Sequence, residues 1–184
     1  SILSEKPHSA LTLHEVTLTE TAMGDFKKSI EFAKVGQQIQ SDMLFSFYHM
    51  QGINLDYLKR PKQAMEAFKA SIQINPNFDL AHYSLAITSL NTGNVTQGVE
   101  SLENAIKVNF GHKSSHLLLG KTYHNQGKNV SALFAYTYFI LYEPNSQRTQ
   151  EAYGLIEALF NQAVQDEETG KVSVSLNFFD MMEG

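Results

Sequence analysis

A step of 34 residues runs through the middle of the chain. Pro76, Phe110 and Pro144 keep it, and so do Gly52, Ala86 and Gly120. Ala64, Gly98 and Ala132 form a third column, Phe68, Leu102 and Tyr136 a fourth, and Gly93 and Gly127 a fifth. A fixed period of this length means stacked copies of one small unit, each burying its apolar face on its neighbours. Such stacks present long surfaces suited to binding rather than a single catalytic cleft.

The columns fit a pair of antiparallel helices. In Phe45–Phe78, Tyr48, Gly52 and Leu55 are spaced by four and three, which puts them on one helical face. Gly52 is small, so a second helix can approach closely there. Ala64, Phe68 and Ile72 form the facing stripe, with Phe68 filling the space between the helices. Pro61 suits the first turn of the second helix, where a missing N–H costs nothing. Asn75-Pro76-Asn77 closes the unit, because proline disfavours helix in the residue before it.

This pattern resembles the tetratricopeptide repeat (TPR): aromatic, small and large on the first helix, then Ala, aromatic and small on the second, with a closing proline. Three units match it, at 45–78, 79–112 and 113–146. The last is close to the family pattern, with Leu119-Gly120, Tyr123, Gly127, Ala132, Tyr136 and Glu143-Pro144-Asn145. The middle one departs from it, with Gly98 for the Ala and Phe110 for the Pro. A degenerate unit occupies about 10–44. Met23-Gly24-Asp25-Phe26 reads as its turn, with Asp25 as a helix N-cap, and it carries one extra residue relative to the strict period. The resemblance implies an all-α, right-handed helical solenoid of antiparallel helix pairs. The domain reading is one TPR solenoid over 1–165, including a capping helix at 147–165, and then an extended tail or linker over 166–184. The segment Tyr138–Tyr153 and the helix after it look like the ends of some exported bacterial TPR proteins.

Composition narrows the partners. With 184 residues and 42% apolar content, the chain can bury a sizeable core as one domain. A net charge of −5 argues against nucleic acid or an anionic membrane surface. The one basic cluster, Lys59, Arg60 and Lys62, sits at an inter-helix turn and reads as solvated. There is no cysteine, which excludes disulfides and thiolate zinc sites. The first residues lack the basic start and apolar stretch of a signal peptide. The longest apolar run, Leu133–Tyr142, is too short to span a membrane and is interrupted by Thr137. Cytoplasmic and periplasmic or exported locations both stay open, the latter with a signal removed.

Beyond Ser146, Ala152, Leu155, Ile156, Leu159 and Phe160 recur at helical spacing and mark a helix over Arg148–Val164, with polar residues on its other faces. Asp166-Glu167-Glu168-Thr169-Gly170 is expected to break it. In Lys171–Phe178, Val172, Val174, Leu176 and Phe178 alternate with Ser and Asn, which is strand periodicity. The segment reads as a linker to a downstream region. The sharper reading is an extended strip that docks on protein, in this chain or a second copy.

Chemistry is hard to place on these residues. His112 and His116 stand four apart, but no Glu or Asp completes a ligand set. His82 and His116 occupy the column of Tyr48 and read as substitutes for an aromatic in helix packing. No phosphate-cradling loop and no Ser–His–Asp spacing is present. The expectation is no catalytic site, no metal and no cofactor.

The family resemblance implies a concave wall built from first helices. By column this wall comprises His49, Ile53, Asp56 and Tyr57, then Leu80, Tyr83, Ile87, Leu90 and Asn91, then Leu117, Lys121, His124 and Asn125, with His14 and Leu18 from the first unit. His49 and Ile53 stand where TPRs that grip a peptide carboxylate use Lys and Asn, so that mode is not expected. The reading is a non-enzymatic adaptor or scaffold that binds a partly apolar, extended protein segment in this groove. The alternative is the regulatory or assembly portion of a larger enzyme or transport machine. A third reading is a self-associating protein that uses its 172–178 tail.

Overall fold

The computed structural model describes residues 9–168, with side chains through Asn161. Among the described residues the chain is all-α. The helices are α1 (Ala10–Ala22), α2 (Phe26–Gly36), α3 (Leu44–Tyr57), α4 (Pro61–Ile74), α5 (Asp79–Asn91), α6 (Val95–Val108), α7 (Lys113–Asn125), α8 (Asn129–Tyr142) and α9 (Gln147–Glu168). They fall into two compact units divided after Phe110. In the first, α1 pairs with α2, α3 with α4 and α5 with α6, while α2 stacks on α3 and α4 on α5. In the second, α7 pairs with α8, and α8 packs on α9.

Local chemistry sets the boundaries. Asp25 caps α2, accepting from the Lys28 N–H at 3.1 Å, and Asn94 caps α6 through the Gln97 N–H at 3.2 Å. Pro61 is at the first position of α4, and α4 stops two residues before Pro76. Gly24, Gly93 and Gly127 take positive φ at the hairpin turns. The extra residue of the first unit lies between α2 and α3. Gly36 is nine residues before Phe45, whereas Ser71, its counterpart on α4, is eight before Asp79.

The second hairpin turn, between α3 and α4, has no glycine. Lys59 holds φ 59° there, a left-handed conformation that strains a side-chain-bearing residue. Lys59→Gly is therefore expected to stabilise the chain by about 1 kcal/mol, the left-handed cost recovered. Urea unfolding checks it. A midpoint that stays put or falls would show that the Lys59 side chain contributes more than its backbone costs.

Small residues fit the helices together in a compensated way. A Cβ on Gly52 would stand 2.5 Å from the Phe68 ring, and one on Gly120 would stand 2.6 Å from the Tyr136 ring. In the middle hairpin the small residue is Ala86, and the facing residue shrinks to Leu102; both are fully buried. Gly98 stands where the hairpins on either side have Ala64 and Ala132, because Leu90 leans on it: a Cβ there would lie 2.5 Å from Leu90 Cδ2. The departures in that unit are thus paired adjustments of volume.

A polar stitch joins the first two hairpins. Asn54, fully buried, donates from Nδ2 to Thr21 Oγ1 at 3.0 Å and to the Met50 carbonyl at 2.7 Å. The hydroxyls of Thr21 and Ser29 lie 2.8 Å apart, and Ser29 also donates to the Thr17 carbonyl. Each buried polar atom of this group has a partner, which is the condition for tolerating it.

α9 continues through Asp166, Glu167 and Glu168, where a break was expected. After Gly154 neither glycine nor proline occurs before Gly170, and glutamate is a good helix former. The expected extended segment 172–178 lies outside the described residues.

Candidate binding surface

The turn position gives each first helix a common register. Six residues before the turn stand Leu18 on α1, Ile53 on α3 and Ile87 on α5. In the first unit they form one apolar column: Leu18 is exposed, and Ile53 and Ile87 are half-buried. Two residues before the turn stand Tyr57 and Asn91, both exposed. Tyr57 stacks on Phe26 at 4.7 Å with the rings 7° from parallel, so one ring face is held while the side chain stays 58% exposed. Leu80 is exposed, and Asp56, Tyr83 and Leu90 are half-buried.

His49 is not available to a ligand. It is buried between the Phe68 and Phe78 rings, at 5.7 and 5.0 Å, and its Nε2 lies 3.0 Å from Ser84 Oγ on α5. Burial lowers its pKa to about 4, with the Leu80 backbone hydrogen bond opposing the shift. It shapes the wall from behind. His14 on α1 plays a similar part, with Nε2 2.8 Å from Ser46 Oγ.

In the second unit the expected wall residues divide. Leu117 is buried in the core with Ala132, Tyr136 and Phe139, so it packs rather than faces outward. Lys121 is committed to Glu151 of α9 at 2.6 Å. His124 rests edge-on against Tyr136, with centroids 6.5 Å apart. Asn125 is exposed. Carrying the wall over by column gave no sign of these cross-helix partners.

Three further described histidines are held by neighbouring groups. His82 is buried, with Nε2 2.9 Å from the Pro76 carbonyl. His116 is buried against Tyr138 and Tyr142. His112 caps α7, its Nδ1 accepting from the Ser115 N–H at 3.2 Å. Among the described residues no three His, Asp or Glu side chains converge on a possible metal position. No described helix is long and apolar enough to cross a membrane.

The sequence of residues 45–78 matches the family model described as "Tetratricopeptide repeat". No curated protein matches the chain. Solved structures share its fold. The crystal structure of MamA aligns at 20% identity with TM-score 0.66, covering 91% of this chain and 97% of that one. YrrB, described as "a TPR protein with an unusual peptide-binding site", aligns at 16% identity with TM-score 0.64, covering 79% of this chain and 75% of that one. A thermophilic TPR protein of Thermus thermophilus aligns at 17% identity with TM-score 0.69, covering 85% of each chain. At such identities the likeness is one of fold.

Proposed function

We propose that this tetratricopeptide-repeat protein is a non-enzymatic scaffold that holds an extended, partly apolar protein segment on the first-helix wall of its first unit. The observation that carries the reading is the apolar column Leu18–Ile53–Ile87 beside Tyr57, an exposed aromatic already fixed by stacking on Phe26. A ring held in place loses little freedom on binding, which is what makes aromatic anchors effective. Asn91 beside it offers donors and an acceptor to a peptide backbone. The peptide-binding site named for YrrB, a structure of the same fold, supports the reading.

The test starts from segments selected against the chain in a random-peptide display library. Tyr57→Ala is expected to weaken their binding roughly tenfold or more, and Ile87→Asp likewise, with unchanged helical circular dichroism. Selected segments that bind both variants as tightly as the wild type would place the interaction elsewhere and overturn the proposal.

A further inference from the structure

The outward rows of the second helices can be compared position by position, counted from the turn of each hairpin. Three, seven, ten and fourteen residues after the turn, α4 holds Lys62, Glu66, Lys69 and Gln73, and α6 holds Thr96, Glu100, Glu103 and Lys107. On α2 the first three of these positions are Lys27, Glu31 and Lys34. Glu103 is half-buried and the others are exposed. Charged and polar residues at spacings of three and four are what a water-facing helix row requires.

On α8 the same positions hold Val130, Phe134, Thr137 and Leu141. The three apolar ones are as open as their charged counterparts: Val130 is 36% exposed, Phe134 52% and Leu141 68%. The fold does not use them, because Ala132, Tyr136 and Phe139 fill the core of the second unit from other faces of α8. Beside the row, Tyr138 and Tyr142 are exposed yet held against the His116 ring at 5.5 and 6.1 Å. α8 itself carries no charged residue. The charges at its two ends are engaged within the chain, Lys128 over the Tyr123 ring and Glu143 with Lys113 and Arg148, each at 3.1 Å. Residues 111–161 hold four Lys and Arg against three Glu, so little net charge opposes a second copy here.

We propose that this row is a contact between two copies of the chain, with α8 packed antiparallel on α8 of a second copy. The pattern points to that occupant. Spacings of four, three and four follow the seam of paired helices and read the same from either end. A two-fold axis between Phe134 and Thr137 therefore sets Val130 against Leu141 of the partner subunit, and Phe134 against Thr137 of the partner subunit. Larger meets smaller in both contacts, as close packing requires. A second copy needs that symmetry, and an unrelated partner does not. One face of a 14-residue helix, about 21 Å long, offers less than the ~800 Å² per partner of a standard stable interface, so the dimer is a weak one.

Sedimentation equilibrium of the full chain from about 10 to 500 µM is expected to pass from monomer to mostly dimer, half-assembled at roughly 100 µM. F134E puts two carboxylates into each seam and is expected to weaken the dimer more than tenfold, with unchanged helical circular dichroism. K69E, on the corresponding row of α4, is expected to leave the curve where it is. The chain has no cysteine, so engineered thiols report the register. V130C mixed with L141C is expected to give a disulfide between the two variants. Each alone is expected to stay mostly reduced, since like positions then lie about 16 Å apart. A monomer at every concentration overturns the proposal, as does a dimer that survives F134E or is lost with K69E. So does V130C joining to itself as readily as to L141C.

Discussion

Gly120→Leu is expected to lower the stability of the chain by about 3 kcal/mol or more. The first atom of the new side chain would already stand 2.6 Å from the Tyr136 ring. That ring is fully buried, so it cannot swing aside without opening the core of the second unit. The informative experiment is a cycle. Gly120→Ala alone should cost about 1–3 kcal/mol, and Tyr136→Leu alone should leave a cavity of similar cost. Combined, they reproduce the Ala86–Leu102 pairing of the middle hairpin and should recover much of the loss, as a favourable coupling energy. Additive losses in urea unfolding would show that the two positions do not share one contact.

The second large effect is acid sensitivity centred on His49. Its described neighbours are the Phe68 and Phe78 rings, the Ser84 hydroxyl and the Leu80 backbone, all uncharged. The folded chain keeps the imidazole neutral down to about pH 4, whereas the ordinary value is 6.5. Between those values the unfolded chain binds the extra proton. Stability from this group is thus complete above pH 6.5, falls as pH drops, and is exhausted below about 4. The shift corresponds to about 3 kcal/mol at its limit. His49→Gln keeps a polar partner for Ser84 and removes the titration. Melting temperatures from pH 7 to 4 should fall less steeply for the variant, and parallel curves for the two proteins would refute the assignment.

Much of this molecule could be read from the columns. The spacing of Gly52, Ala86 and Gly120 against Phe68, Leu102 and Tyr136 located the hairpins, because close helix approach demands small residues at fixed places. Asp25 and Pro61 marked helix starts for reasons local to the chain. What escaped the reading was pairing between successive elements. His49 meets Ser84, Asn54 meets Thr21 and Lys121 meets Glu151, at separations of 35, 33 and 30 residues. Residues about one period apart become neighbours when hairpins stack, so complementary types at that separation were the available signal. His49 looked like a free wall residue because column position gives a side chain's helix face and says nothing about what the next helix lays over it. Gly98 looked like decay of the repeat until Leu90 was seen against it.

The stitch at Asn54 bears on how such a chain can change over generations. A repeating period invites the idea of interchangeable beads that duplicate, drop out or trade places. The amide of Asn54 finds its hydroxyl only in Thr21, and the corresponding places further along hold Thr88 and Thr122. A hairpin moved out of order would bury that amide without its mate, at a cost of about 1–3 kcal/mol. The first two hairpins therefore carry an address as well as a shape. Their order is inherited as a pair, and a second copy of the Asn54 hairpin, stacked on the first, would begin life with a penalty that a purely apolar seam would not impose.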